Sequence, residues 1–135
     1  MSHYVDGFLI PVPADRLEAY RELAEKAAAI WCEHGALEYV EAAGDDLAVK
    51  DQTPFPVLAA VQPNETVVFA YIVFRSREHR DEVNARVMAD PRIQAMCDPD
   101  NPPFDFKRMA YGGFRVMVSA RGAAAGRGEP GSSAV

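Results

Sequence analysis

One nine-residue run, Thr66 to Phe74 (TVVFAYIVF), constrains the fold more than any other part of this 135-residue chain. It is rich in β-branched and aromatic residues, and from Val67 onward both alternating sets of side chains are apolar. Side chains of a strand point alternately to opposite faces, so such a run belongs to a central strand covered on both sides. The fold must therefore supply two covers.

Amphipathic helices supply one. Tyr4 to Val12 reads as a first strand that stops where Pro11 and Pro13 remove hydrogen-bond donors. Asp15 and Glu18 have capping-box spacing ahead of a helix with the apolar stripe Leu17, Tyr20, Ala24, Ala27 and Trp31, widened by Leu23 and Ile30. Gly35 ends that helix as a left-handed residue. Leu37 to Ala43 is a second strand, 45–56 a polar loop, and Val57 to Val61 a short apolar run that could add a strand. Ser76 caps a second helix with Val83, Val87 and Met88 as its buried stripe, and Asp90-Pro91 restarts a helical turn. Residues 97–105 form a loop. Met109 to Val118 is the last strand, in which Gly112-Gly113 signals a bulge or a close backbone approach.

The order β-α-β-(β)-β-α-β is the ferredoxin-like split βαβ plan, an α+β fold with an antiparallel sheet. The domain is expected to span 1–118. From 119 to 135 Gly, Ala and Ser dominate, and a flexible tail is expected. The plan puts two helices on one sheet face and nothing on the other. Yet both sets of the first strand (Tyr4, Asp6, Phe8, Ile10 and Val5, Gly7, Leu9) are too apolar to lie open to water. A second copy of the sheet is the economical cover, so a homodimer is expected.

Charge narrows the partners. The net charge is −6, and residues 1–66 hold 4 basic and 12 acidic side chains against 8 and 7 in 67–118. Nucleic acid, which needs a basic footprint, is not an expected partner; Arg75, Arg77 and Arg80 are interleaved with Glu78, Asp81 and Glu82 and read as a solvated helix surface. No run approaches the ~20 apolar residues of a membrane helix, and the first residues carry no secretory pattern. Cys32 and Cys97 fit no metal or redox spacing, so a cytoplasmic protein with reduced thiols is expected.

Neither a metal nor an organic cofactor is expected. His3, His34 and His79 lie in separate elements. Asp98-x-Asp100-Asn101 lacks the glycine and the final glutamate of a calcium loop, and no nucleophile elbow, phosphate loop or dinucleotide glycine motif occurs. Cys32 reads as a small buried hydrophobe, and Phe8, Trp31, Tyr71, Phe74, Phe104 and Phe114 as core. What remains are ionisable groups set among hydrophobes. Asp6, His34, Arg108 and Tyr111 are the candidate catalytic residues; Glu41, Asp105 and Lys107 are the candidate ligand-binding residues. In this fold the first and last strands can share a sheet, so Asp6 could meet Arg108 or Tyr111. Two readings stay open: a structural pair that pins the last strand, or a pocket for a small apolar ligand in which His34 moves a proton.

Five segments, YVDGFLIPVP (4–13), HGAL (34–37), ETVVF (65–69), MADPR (88–92) and PFDFKRMAYGGF (103–114), resemble the YbaA-like bacterial family, whose function is unknown. The resemblance runs from residue 4 to about 118 and implies the dimeric α+β barrel superfamily, in which two ferredoxin-like sheets pack face to face. By that resemblance a cofactor-independent enzyme, monooxygenase- or isomerase-like, is one functional expectation. A ligand-binding module and a non-catalytic structural homodimer are the others. The chain departs from the family pattern at Ala42 and Ala43, near Pro56, at Tyr71 and Val73, and at Phe106. Relatives there carry Cys and Trp, an arginine, Trp and Glu, and a glycine, so a pocket lined by that arginine and glutamate would differ here.

Overall fold

The computed structural model describes residues 3–96, 100 and 102–124. β1 (Tyr4–Pro13) is flanked on one side by β3 (Glu65–Phe74), paired along its whole length with Tyr4 opposite Phe74 and Pro13 opposite Glu65. β4 (Ala110–Arg115) lies on its other side, and β2 (Glu38–Ala43) on the outer edge of β3. The sheet is antiparallel with the order β2-β3-β1-β4. Among the described residues the strands are connected through α1 (Leu17–Glu33), the single turn α2 (Phe55–Leu58), α3 (Arg77–Met88) and the short α4 (Pro91–Met96). This is the ferredoxin-like split βαβ plan that the alternation of segments implies. None of the described helices is long and apolar enough to cross a membrane.

Several local expectations are corrected. β1 runs to Pro13, one residue beyond the expected Val12, with Pro11 inside it. The His3 carbonyl accepts from the Val116 N–H at 3.0 Å, so strand alternation turns the odd-numbered backbone groups of β1 toward β4. Pairing with β4 ends at Leu9, so Pro11 and Pro13 place their missing donors where no strand waits. The Asp15–Glu18 capping box is not formed. The chain leaves β1 through a 3-10 turn, Ala14–Arg16, which takes Asp15 away from the cap position, and Glu18 pairs with Arg21 at 2.7 Å instead. The run 57–61 is no strand. Pro54 seeds a helical turn, its carbonyl accepting the N–H groups of Val57 and Leu58.

The glycine pair makes no bulge, because the β1–β4 register is unbroken. The Tyr4 ring instead crosses the spot where a Cβ of Gly113 would stand. Cys32 is exposed, and so is Met88. Ser76 does cap α3, accepting from the His79 N–H at 3.1 Å, and Asp90 accepts from the Arg92 N–H at 2.9 Å. Cys97, most of the acidic loop beside it (97–99 and 101) and tail residues 125–135 lie outside the described residues.

Even-numbered residues of β1 and β3 face α1 and α3 and build two apolar clusters. Ile30, Ile72, Phe74, Val83 and Val87 form one; Ile10, Val12, Tyr20, Val68 and Phe104 form the other. The odd-numbered residues make the reverse face, with Val5, Leu9, Val67, Phe69, Tyr71 and Val73, joined by Phe114 of β4. Phe55 of α2 leans on Phe69 with ring centroids 6.2 Å apart. Phe69 is still 48% exposed and Phe114 62%.

Gly35 holds the turn between α1 and β2 at φ 120°, and a Cβ there would also stand 3.3 Å from His79 Nε2 and Val83 Cγ2. Gly35→Ala should therefore cost about 1–3 kcal/mol of folding stability, measured by urea unfolding. A loss under a few tenths would contradict the strain assigned to this turn.

Candidate functional site

Between the two apolar clusters the helix layer stands off the sheet. Ala24 and Ala27 of α1 and Ala70 of β3 line this space, and side chains so small leave it unfilled. The result is a cavity of about 480 Å³, partly open to solvent. Its remaining walls are chiefly apolar, among them Phe8, Ile10, Leu23, Ile72 and Phe104. Polar groups gather in two places.

The first centres on Asp6, which points from β1 toward the helices and is 1% exposed. A carboxylate so placed requires partners. Arg80 of α3 donates to Asp6 Oδ1 at 2.8 Å and to Tyr111 Oη at 2.9 Å. One turn on, Asn84 donates to Asp6 Oδ2 at 3.3 Å and accepts from Trp31 Nε1 at 3.0 Å. The Arg80 guanidinium also lies over the Tyr4 ring, 5.0 Å from its centroid. Burial pushes the Asp6 carboxyl above its ordinary range, and the Arg80 charge and hydrogen bonds from Asn84, Tyr111 and Arg80 hold that rise back.

The second centres on Glu41 of β2. Tyr20 donates to its Oε1, and Tyr39 to its Oε2 at 2.7 Å. Burial, and then the neighbouring carboxylate, raise both phenols well above their ordinary range, so each stays protonated and donating.

Of the seven residues singled out by sequence, Asp6, Glu41 and Tyr111 line this cavity; the other four do not. Arg108 does not meet Asp6. The β1–β4 register sets Asp6 opposite Gly113, and Arg108 precedes the strand, where it grips Glu65 at 2.6 Å and donates to the Ala60 carbonyl at 2.9 Å. His34 caps α1, its Nε2 2.8 Å from Asp90. Hydrogen bonds from Arg92 first, and from His34, hold the Asp90 carboxyl well below the usual range. Asp105 accepts from the Lys107 N–H at 3.0 Å, and both line a separate surface groove. The aromatic set also divides. Phe74 is core, Phe8, Trp31 and Phe104 line the cavity, and Tyr71 and Phe114 lie on the reverse face. Arg80, Asn84, Tyr20 and Tyr39 complete the site. Among the described residues no cluster of His, Cys, Asp and Glu is arranged to hold a metal ion.

The family model described as Protein of unknown function (DUF1428) matches residues 3–106. The chain belongs to the DUF1428 family. It is 44% identical over 115 residues to the "Uncharacterized protein YbaA" of Escherichia coli K12, covering 85% of this chain and 97% of the relative, and equally so to that of Shigella flexneri. Among solved structures it is similar to a dimeric ferredoxin-like protein from an uncultured marine organism, with a TM-score of 0.53 and 10% identity over 90% of this chain and 99% of that one. That likeness is one of fold. The DUF1428 match spans Asp6, Glu41, Arg80 and Asn84, and Tyr111 lies beyond it.

Removing one partner of a buried ion pair leaves the other charge uncompensated, at a cost of about 3–5 kcal/mol. Arg80→Met should therefore lose about that much in urea unfolding, and adding Asp6→Asn should recover a large part of it. Arg108→Met should show no such coupling to Asp6→Asn. Additive losses for Arg80 and Asp6 would count against the pairing.

Proposed function

We propose that this protein binds a small, mostly apolar molecule in the cavity between α1 and the sheet. The observation that carries this reading is the cavity itself: about 480 Å³ of apolar space, with a few polar side chains converging on it. That combination is the usual form of a small-molecule site. The groups offered to a bound molecule suit proton transfer. Burial raises the pKa of the Asp6 carboxyl, which lies beside the Tyr111 hydroxyl. The cavity lining, among the described residues, contains no serine, cysteine or histidine to act as a nucleophile or its activating base.

A ligand that binds the folded state stabilises it by about 2.7 kcal/mol at a hundred times its Kd, which raises the melting point by several degrees. Phenethyl alcohol, a neutral aromatic probe, should produce such a rise in the wild-type protein. Ala27→Phe, which fills the space, should abolish it. Equal rises in both proteins would place the probe elsewhere and remove the support for this site.

The reverse face of the sheet favours a second property, pairing of two copies through that face. Phe69 and Phe114 expose large aromatic surface there, and the marine protein of similar fold is described as dimeric. Burying such surface against itself stabilises a dimer through the hydrophobic effect. Light scattering at micromolar concentration should give twice the chain mass of 14.8 kDa, and Phe114→Glu should reduce it to one. A wild-type monomer would end this reading.

A further inference from the structure

We propose that the molecule held in the cavity is a protonated amine on an apolar body, with Glu41 as its counter-ion. The inference rests on the cavity-binding reading above and names the chemical class that the site takes.

The carboxylates that fold toward the interior of this protein have cations. Asp6 has Arg80 at 2.8 Å, Asp90 has Arg92 at 2.7 Å, and Glu65 has Arg108 at 2.6 Å. Glu41 differs. It lines an apolar cavity, and among the described residues no lysine, arginine or histidine forms an ion pair with it within 4 Å. Its hydrogen bonds come from two neutral phenols, those of Tyr20 and Tyr39. A carboxylate offers about four acceptor positions, so two phenols leave room for the N–H groups of a ligand. Glu41 is half-buried; a ligand that closes over it withdraws the carboxylate from water, which is costly without a compensating charge, and the ligand is the source that the cavity leaves open.

The surroundings of Glu41 fit an ammonium head. Tyr20 packs edge-on against Phe104 with centroids 5.3 Å apart, and Trp31 lies 6.0 Å from Tyr39. Aromatic faces attract a cation through their quadrupoles. At the Asp6 end the charge is already balanced by Arg80, so that part of the cavity adds hydrogen bonds without a second net charge. The ammonium therefore belongs at Glu41, and the apolar body lies along Ala24, Ala27 and Ala70. An anionic ligand would face Glu41, and among the described residues lining the cavity there is no lysine, arginine or histidine to meet it.

Three probes of one shape separate the possibilities: phenethylamine, phenethyl alcohol and phenylacetate, titrated into the full chain by calorimetry at neutral pH. Wild-type protein should bind the amine at least about tenfold more tightly than the alcohol, as a charge-assisted hydrogen bond allows, and the acid more weakly than either. Glu41→Gln should erase the preference for the amine while alcohol binding persists. Tyr39→Phe, which keeps the carboxylate, should retain the preference, and Ala27→Phe should bind none of the three. Equal affinity for amine and alcohol, or a preference that survives Glu41→Gln, would overturn the assignment and leave the cavity reading standing. Binding of none of the three to wild-type protein would remove both. The wild-type comparison decides even where Glu41→Gln does not fold.

Discussion

Asp6 stands on the helix side of β1, flanked by Ile72 of β3 and Gly113 of β4, and its carboxyl has almost no contact with water. Arg80 and Asn84 meet it from successive turns of α3, Trp31 of α1 holds Asn84, and Tyr111 of β4 shares Arg80. One polar chain thus joins both main helices to two strands. Its weight is clearest in α3, whose apolar contribution is thin: Val83 and Val87 are its fully buried aliphatic side chains. Two valines bury too little area to dock a twelve-residue helix firmly. Directional bonds to a buried charge fix its position and rotation as well.

The other charged ties have the same character. Arg92 bridges Asp90 and Glu33, and His34 reaches Asp90 from the end of α1, so the C-terminal end of α1 is tied to the start of α4. Arg108 joins Glu65 to the carbonyl of Ala60 and steadies the turn leading into β3. None of the residues in these pairs lines the cavity. Here His34 and Arg108 each tie two elements together, although their residue types also suit catalysis. Chemical type alone does not separate a tie from a site; the partner does.

Much of the fold was legible because it rests on local periodicity. The two-sided apolar run at 67–74, the stripe of α1, the left-handed Gly35 and the Ser76 cap each need only a few consecutive residues to be recognised. What escaped depends on how distant elements meet. Arg80 sits in a run of mixed charges that looks like solvated surface, and nothing local reveals that it turns inward to a residue 74 positions away. Arg108 looked closer to Asp6 than it is. Asp6 pairs with Gly113, whereas Arg108 ends the 3-10 turn Phe106–Arg108, before β4 begins at Ala110. The cavity was equally hidden. Ala24 and Ala27 read as ordinary members of an apolar stripe, and their small volume acquires meaning once Ala70 is known to line the same space.

The distribution of charge bears on what enters that space. The first 66 residues, which include α1 and β2, carry three acidic side chains for each basic one. Along α1, the helix that roofs the cavity, Arg21 pairs with Glu18 and Glu25, and Arg92 pairs with Glu33, so the acidic excess of this half is largely offset on that helix, and Glu41 lies beneath it. Glu41 acts at short range, where Tyr20 and Tyr39 hold its carboxylate in one orientation.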